Sequence, residues 1–477
     1  MWLLRRPTIV VLLCASVVHA GLLAVVYARA GRIDAHAFES VDCGEYYNIA
    51  RNVAERGVFS QRADEPFVPD TWRTPGYPFL LAVFIFLLGD APAGLVIVQQ
   101  ALAILNVVLL FRLATNWMSE RRAVVLAVLF LLEPYHLKYS IWLMSATWFV
   151  TVLLLSWHCW QRTLRTGRWS WAVLLGGLCG FFVLVRPVGL LVPVVVFAGL
   201  VFDLVRRRRN AARATTPPGG VLPLAVFAVA CLAVIGSWMV RNHRVTGHLA
   251  LSNQGGVVLA YFKAAEVDLW REGRNRDRYL ETTLDPARLD RPHRAWEKID
   301  AALREQLAHL PVEQRETLTW QNLAQGVSTP VDSFLVSKTL ARIGRRRLAE
   351  SPVSTVTCCL VRFGSILTFP LCLAVTPPNG VELSRVLSFV KGALYLVLCG
   401  AVVLRLFRGR IGFATGYFPI ACTLALLLAT TPQLDPRFRV PMIPVLLLLA
   451  LLPLRPGGSE PEPSRKSDAD RPGPAHA

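Results

Sequence analysis

Apolar runs long enough to cross a bilayer recur along this chain, separated by short polar breaks. A helix needs about 20 apolar residues to span roughly 30 Å of hydrocarbon. Candidate spans lie near residues 8–28, 93–115, 121–137, 140–161, 169–185, 187–205, 221–240, 384–404, 411–430 and 438–455. Two further apolar stretches, 75–89 and 353–375, differ in kind. The first opens on Pro75-Gly76-Tyr77-Pro78 and ends at Gly89-Asp90; the second carries Arg362 in its middle and Pro370 near its end. Both read as interfacial or re-entrant helices, because counting only one as a crossing would invert part of the charge pattern. The alternation expected of barrel strands does not occur, so helices are the spanning form. The predicted fold class is all-α: a polytopic membrane protein of about 10 to 12 transmembrane helices. Interfacial helices in the first outer loop and a small helical extracytoplasmic cap complete it.

Charge supplies the orientation. Arginines gather at span ends, as Arg5-Arg6, Arg121-Arg122, Arg206 to Arg209 and Arg405 to Arg410. Such clusters mark cytoplasmic loops. With the N-terminus inside, the outer segments are 29–92, the turns near 138 and 186, the stretch 241–383, and 431–437. Arg345 to Arg347 are then left outside, which a long loop tolerates. The first apolar run continues to about Tyr27, longer than a signal peptide's core, and reads as a retained span.

Four regions follow. Residues 1–240 form an N-terminal bundle containing the first outer loop (29–92), and 241–383 a cap with an interfacial segment. Residues 384–455 supply the last transmembrane helices, and 456–477 a disordered tail rich in Pro, Gly, Ser and charge. Within the cap, Pro292 to Leu310 and Val331 to Leu348 have helical periodicity.

Composition changes the picture in three places. Of 477 residues 54% are hydrophobic and 17% charged, with mean hydropathy +0.44, which excludes an ordinary soluble domain. The net charge of +19 sits at span ends rather than on a continuous basic face. Anionic membrane lipids therefore suffice as partners, and no nucleic acid is implied. Most of the ten cysteines lie in apolar runs, and Cys358-Cys359 has no second pair at zinc-ligand spacing, so no metal site is read from them.

The candidate chemistry gathers on the outer side, where charge at membrane depth is rarely kept without a function. Asp42, Glu45 and Tyr46 stand three and four residues apart, on one face of a short helix. A partly shielded carboxylate there can take a proton from an acceptor hydroxyl, with solvated loop charge as the competing account. Arg73 sits at the Pro-Gly bend where the chain re-enters the membrane, with Tyr77 just beyond, placed to meet a phosphate at headgroup depth. Glu133, His136 and Lys138 crowd one outer turn, and Arg186-Pro187 forms another. Arg241-Asn242 ends a span, and Asp435, Arg437 and Arg439 stand where the last one begins. Outer arginines run against the positive-inside tendency and call for a local anion, with pairing to Asp435 as the competing account.

Taken in order, these motifs resemble the GT-C superfamily of glycosyltransferases that use polyprenyl-phosphate sugars. The likeness is to the bacterial branch related to protein O-mannosyltransferases and the lipid A aminoarabinose transferase. It rests on Asp42-x-x-x-Tyr46-x-x-x-Ala50, Arg73-x-Pro-Gly-Tyr-Pro78, Arg186-Pro187, Arg241-Asn242 with Gly247, and Arg437-Phe-Arg439-x-Pro441, across residues 8–455. The resemblance implies a glycosyltransferase of the bacterial inner membrane, with its active site on the extracytoplasmic face. Asp42 would be the catalytic base, and Arg73, Arg241, Arg437 and Arg439 would hold the donor phosphate. Glu45, Tyr46, Tyr77, Glu133, His136, Lys138 and Asn242 would contact substrate. The acceptor would be a lipid, glycan or protein hydroxyl; no cofactor is named, and a divalent cation is left open. One departure stands out: in Leu143-Met-Ser145-Ala146, alanine falls where relatives often carry a glutamate. The competing expectations are a lipid-linked substrate transporter and a relative that has lost its chemistry.

Overall fold

All regular structure among the described residues is helical. The computed structural model describes residues 6–209, 220–272, 294–319, 322, 329–368, 413–430 and 440–451. The bundle opens with α1 (Arg6–Ala30), α2 (Val41–Arg56), α3 (Gly76–Leu88), α4 (Pro92–Ala114), α5 (Glu120–Leu131) and α6 (Pro134–Ile141). It continues through α7 (Ala146–Thr166), α8 (Trp169–Val185), a 3-10 turn at Pro187–Leu190, α9 (Leu191–Arg209) and α10 (Leu222–Thr246).

Among the described residues four helical runs are long and apolar enough to cross a membrane: Arg6–Ala30, Pro92–Ala114, Pro187–Arg209 and Leu222–Thr246. A fifth candidate is the pair α5 and α6, bent by 54°. Shorter apolar helices cover Gly76–Leu88, Trp169–Val185, Pro352–Val361 and Gly416–Thr430. Among the described residues the expected ten to twelve crossings therefore reduce to four or five that satisfy length and composition. The span expected at 384–404 lies outside the described residues, and that at 438–455 is described only over 440–451.

Two expected spans divide differently in space. The run 121–137 breaks at Glu133-Pro134, where proline starts a new helix rather than continuing the old one. The run 140–161 breaks between Ile141 and Ala146. There Gln99 Nε2 donates to the carbonyl of Tyr139 at 2.7 Å and also to that of Trp142, while Thr147 Oγ1 donates to Tyr139 at 2.9 Å. Side chains thus satisfy carbonyls that a continuous helix would have used.

Close approach in the bundle depends on small residues, as expected where lipid gives no hydrophobic push between helices. A Cβ added at Gly176 of α8 would meet the carbonyl oxygen of Phe227 at 2.3 Å, and one at Gly180 would meet the Val234 side chain at 2.8 Å. These two glycines, four apart, set α8 directly on α10.

The cap begins after Gly247 with α11 (Gln254–Val257), a π-helical turn at Val258–Ala264 and α12 (Ala265–Arg271). It continues with α13 (Arg294–Gln306), α14 (Val312–Thr317), α15 (Pro330–Glu350) and α16 (Pro352–Thr368). It has its own apolar core, in which Val257, Tyr261, Ile299, Leu303, Val336 and Leu340 meet Trp72 from the first loop. The basic run at Arg345 to Arg347 is partly neutralised here: Arg347 pairs with Asp268 at 2.6 Å and Arg346 with Glu350 at 3.1 Å. Helices α17 (Phe413–Thr430) and α18 (Ile443–Leu451) return to the bundle.

Candidate active site

Helix α2 carries two carboxylates to the mouth of a cavity. Asp42 lies in its first turn, where the positive end of the helix dipole favours an acid. The helix stops at Gly57, whose φ of 68° allows the left-handed residue that ends many helices. Gly57 N donates to Val53 O at 3.1 Å, and Val58 N to Asn52 O at 3.2 Å. Asn52 is fully buried and its Nδ2 donates to the carbonyls of Ser60 and Arg62, both at 2.7 Å, turning the chain back along α2.

That return brings Arg73 between the two acids. Its Nη2 lies 2.5 Å from Asp42 Oδ1, and its Nε donates to Glu45 Oε2 at 2.6 Å. Its guanidinium also stacks over the Tyr46 ring, 4.8 Å from the centroid. The turn is fixed by Asp70, whose Oδ1 accepts from Arg73 N at 2.8 Å. Asp70 is buried and carries a pKa pushed up to about 6 by that burial, against the pull of its hydrogen bonds and nearby arginines. Burial also raises Glu45 to about 7; Arg73 opposes the rise and the Asp42 carboxylate adds to it.

The sequence Thr74-Pro75-Gly76 then sets α3 against the end of α8. A Cβ at Gly76 would fall 2.6 Å from the Leu184 carbonyl carbon and the Val185 nitrogen. Since Arg186 follows Val185, this approach puts Arg73 and Arg186 on one cavity. Arg186 Nε donates to Ser145 Oγ at 2.9 Å, so it meets a hydroxyl beside Ala146.

The opposite wall comes from the cap. Asn242 Nδ2 donates to the carbonyls of Ala250 and Leu251 at 2.9 and 3.1 Å, and Trp238 Nε1 reaches Leu251 O at 3.0 Å. Asn253 N then donates to Thr71 O at 3.0 Å, laying the strap beside the Asp70–Arg73 turn. The cavity so enclosed has a volume of about 520 Å³. Its lining includes the polar side chains of Asp42, Tyr46, Arg73, Arg186 and Lys263 and the apolar ones of Trp72, Leu190, Val258 and Phe262.

The predicted residues distribute unevenly around it. Asp42, Tyr46 and Arg73 line the cavity, and Glu45 stands just behind, holding Arg73. Tyr77 is buried one layer back, its ring 4.9 Å from Tyr46 and its hydroxyl donating to Gln99 at 3.2 Å. Arg241 faces the Asp70 turn instead, donating to Asp70 O at 2.6 Å and stacking on Trp238 at 4.7 Å. Asn242 is taken up by the strap. Glu133, His136 and Lys138 line no part of the cavity. The Glu133 carboxylate caps α6 by accepting from His136 N at 2.7 Å, the His136 ring meets His19 at 3.3 Å, and Lys138 lies 4.2 Å over Trp142. Asp435, Arg437 and Arg439 lie outside the described residues. Among the described residues no three His, Cys, Asp or Glu side chains gather as a metal would require.

Sequence reading left two cavity cations off the site. Arg186 was visible as an outer-turn motif. Lys263 gave one faint signal, a single ammonium inside the apolar run Val257–Ala265.

Residues 72–235 match the family model described as dolichyl-phosphate-mannose-protein mannosyltransferase, a GT-C family, in agreement with the resemblance carried by the motifs. No curated protein matches the sequence. Among solved structures, ArnT from Cupriavidus metallidurans bound to undecaprenyl phosphate is 14% identical, with a TM-score of 0.37, over 93% of this chain and 77% of that one. The oligosaccharyltransferase AglB from Archaeoglobus fulgidus, in complex with an inhibitory peptide and a dolichol-phosphate, is 15% identical, with a TM-score of 0.47. That likeness covers 95% of this chain and only 50% of AglB. Arabinosyltransferase EmbB from Mycobacterium smegmatis is 16% identical, with a TM-score of 0.37, over 92% of this chain and 40% of that one.

Proposed function

We propose that this protein is a membrane glycosyltransferase that moves a sugar from a polyprenyl-phosphate carrier to an acceptor hydroxyl. In this reading ten to twelve helices cross the bacterial inner membrane, and the cavity opens on the extracytoplasmic side. The observation that carries the proposal is the Arg73 fork closed on Asp42 and Glu45 at a cavity shared with Arg186. A guanidinium so placed suits a planar, two-point contact with phosphate oxygens.

The reaction needs no nucleotide, because phosphate is itself a competent leaving group. The acceptor oxygen attacks the anomeric carbon as the bond from that carbon to the carrier phosphate breaks. Asp42 receives the hydroxyl proton, and the carrier leaves as its phosphate anion. Arg73, drawn from Asp42 to the donor, neutralises charge developing on the departing oxygen while Glu45 keeps its position. The apolar wall at Trp72, Val258 and Phe262 suits the first isoprenoid carbons of the carrier.

The test is direct. Purified protein is given a polyprenyl-phosphate sugar with a candidate acceptor, and release of free polyprenyl phosphate is followed. Turnover that requires the acceptor supports the proposal. Movement of the intact donor across vesicles, with no cleavage of the sugar–phosphate bond, would replace it with a transport function.

A further inference from the structure

The cap does more than cover the cavity. Its π-helical turn presents Val258, Leu259, Phe262 and Lys263 to the opening, a spacing of four and five residues that suits the wider π helix. The turn is pressed there from behind. A Cβ at Gly256 would fall 1.8 Å from the carbonyl oxygen of Ser337, and one at Gly344 would fall 2.9 Å from the Leu259 carbonyl carbon. Those two glycines let α15 lie against the backbone of the turn. The carbonyl of Tyr261 is satisfied from outside the helix, accepting from Trp296 Nε1 at 2.9 Å.

Lys263 is therefore held at the cavity by packing. Its Nζ donates to the carbonyl of Ala429 at 2.7 Å, in the last turn of α17. A helix C-terminus attracts a cation but carries only partial charge. Among the described residues no carboxylate stands within ion-pair distance of this ammonium. Arg73, by contrast, already faces two carboxylates. Burial disfavours the charged form of Lys263, a cost that an entering anion would relieve.

We propose that Lys263 is a donor-phosphate ligand supplied by the cap, exchanging the Ala429 carbonyl for the phosphate when the donor enters. The assignment rests on the glycosyltransferase reading, and it makes the cap one wall of the binding site. It also divides the work between the cations. Arg73 must be taken from Asp42 before it can bind phosphate, whereas Lys263 gives up only a neutral carbonyl.

The experiment compares binding of a polyprenyl monophosphate with that of the corresponding polyprenol, both in detergent micelles, to the full-length wild type, Lys263→Met and Lys263→Arg. A charge-assisted hydrogen bond lost from a shielded site is expected to weaken phosphate binding about 10- to 100-fold in Lys263→Met. Polyprenol binding should stay the same, and Lys263→Arg should restore most of the phosphate preference. An unchanged preference for phosphate in Lys263→Met overturns the assignment. So does an equal loss of both ligands together with a lowered Tm, which would make Lys263 a prop for α17. The two proposals fail separately. A wild type that binds the monophosphate through Lys263 yet transfers no sugar refutes the enzyme and keeps the ligand. An active enzyme whose Lys263→Met variant keeps the full preference does the reverse.

Discussion

Arg73 Nη2 stands 2.5 Å from Asp42 Oδ1, so the carboxylate proposed to accept a proton is occupied by the guanidinium proposed to bind the donor. One contact thus links two steps. Arg73 engages the Oδ1 oxygen of Asp42, and under the proposed mechanism a phosphate that draws Arg73 away would free that oxygen for the acceptor hydroxyl.

Asp42→Asn is expected to lower turnover by about 10²- to 10⁴-fold, the usual contribution of a general base. The amide still reaches Arg73, so binding of a polyprenyl monophosphate should persist. Single-turnover assays alongside equilibrium binding check this, and an Asp42→Asn variant with near-normal turnover removes Asp42 from the mechanism.

Arg73→Met leaves two carboxylates facing each other with no cation between them. Losing one partner of a buried ion pair costs about 3–5 kcal/mol, and Arg73 has two partners with side-chain exposures of 24% and 14%. Thermal unfolding in detergent should show a large fall in Tm. Adding Asp42→Asn and Glu45→Gln to the same chain should recover most of it. Arg73→Lys should unfold near the wild type yet bind phosphate poorly, because an ammonium lacks the two-pronged geometry.

Glu45 gives a pH signature. Burial raises its carboxyl from 4.5 to about 7 in the folded protein, so between those values the folded state holds a proton that the unfolded chain has released. Stability from this group is complete below about 4.5 and declines as pH rises toward 7. Glu45→Gln removes that decline. Unfolding followed from about pH 4 to about pH 8, as wild type minus variant, should show it. The buried Asp70, raised to about 6, declines in the same direction over a lower window and is common to both chains.

Gly76→Ala should damage function from outside the cavity. The added methyl meets the backbone at Leu184 and Val185, 2.6 Å away, and must part α3 from α8. Such overpacking costs about 1–3 kcal/mol. It also separates Arg73 from Arg186, so turnover should fall further than stability alone accounts for. Gly94→Ala, where the new methyl finds contacts no closer than 3.7 Å, is the control within a helix and should leave turnover unchanged with stability equal or slightly raised.

The heart of the candidate site was legible because local spacing encodes it. Asp42, Glu45 and Tyr46 needed only helical periodicity to share a face, and Arg73 needed only its place before a Pro-Gly bend. What escaped the sequence depended on distant partners. Glu133 and His136 looked like chemistry in an outer turn, but Glu133 caps a helix and His136 is closed off by His19, 117 residues earlier. The break inside the expected span 140–161 is made by Gln99 from another helix, which no local pattern reveals. Lys263 was hidden by its apolar neighbours, and Arg186 was seen as a motif but not connected to Arg73. That connection runs through Gly76, whose meaning appears only when α8 lies beside it.

The cavity that holds Asp42 is completed by Ala429 and Thr430, from the far end of the chain. On the ribosome the acid emerges early, and the segment that closes the chamber follows only after most of the protein has been made. A half-synthesised molecule therefore carries Asp42 and Arg73 without the late segment that lines the same chamber.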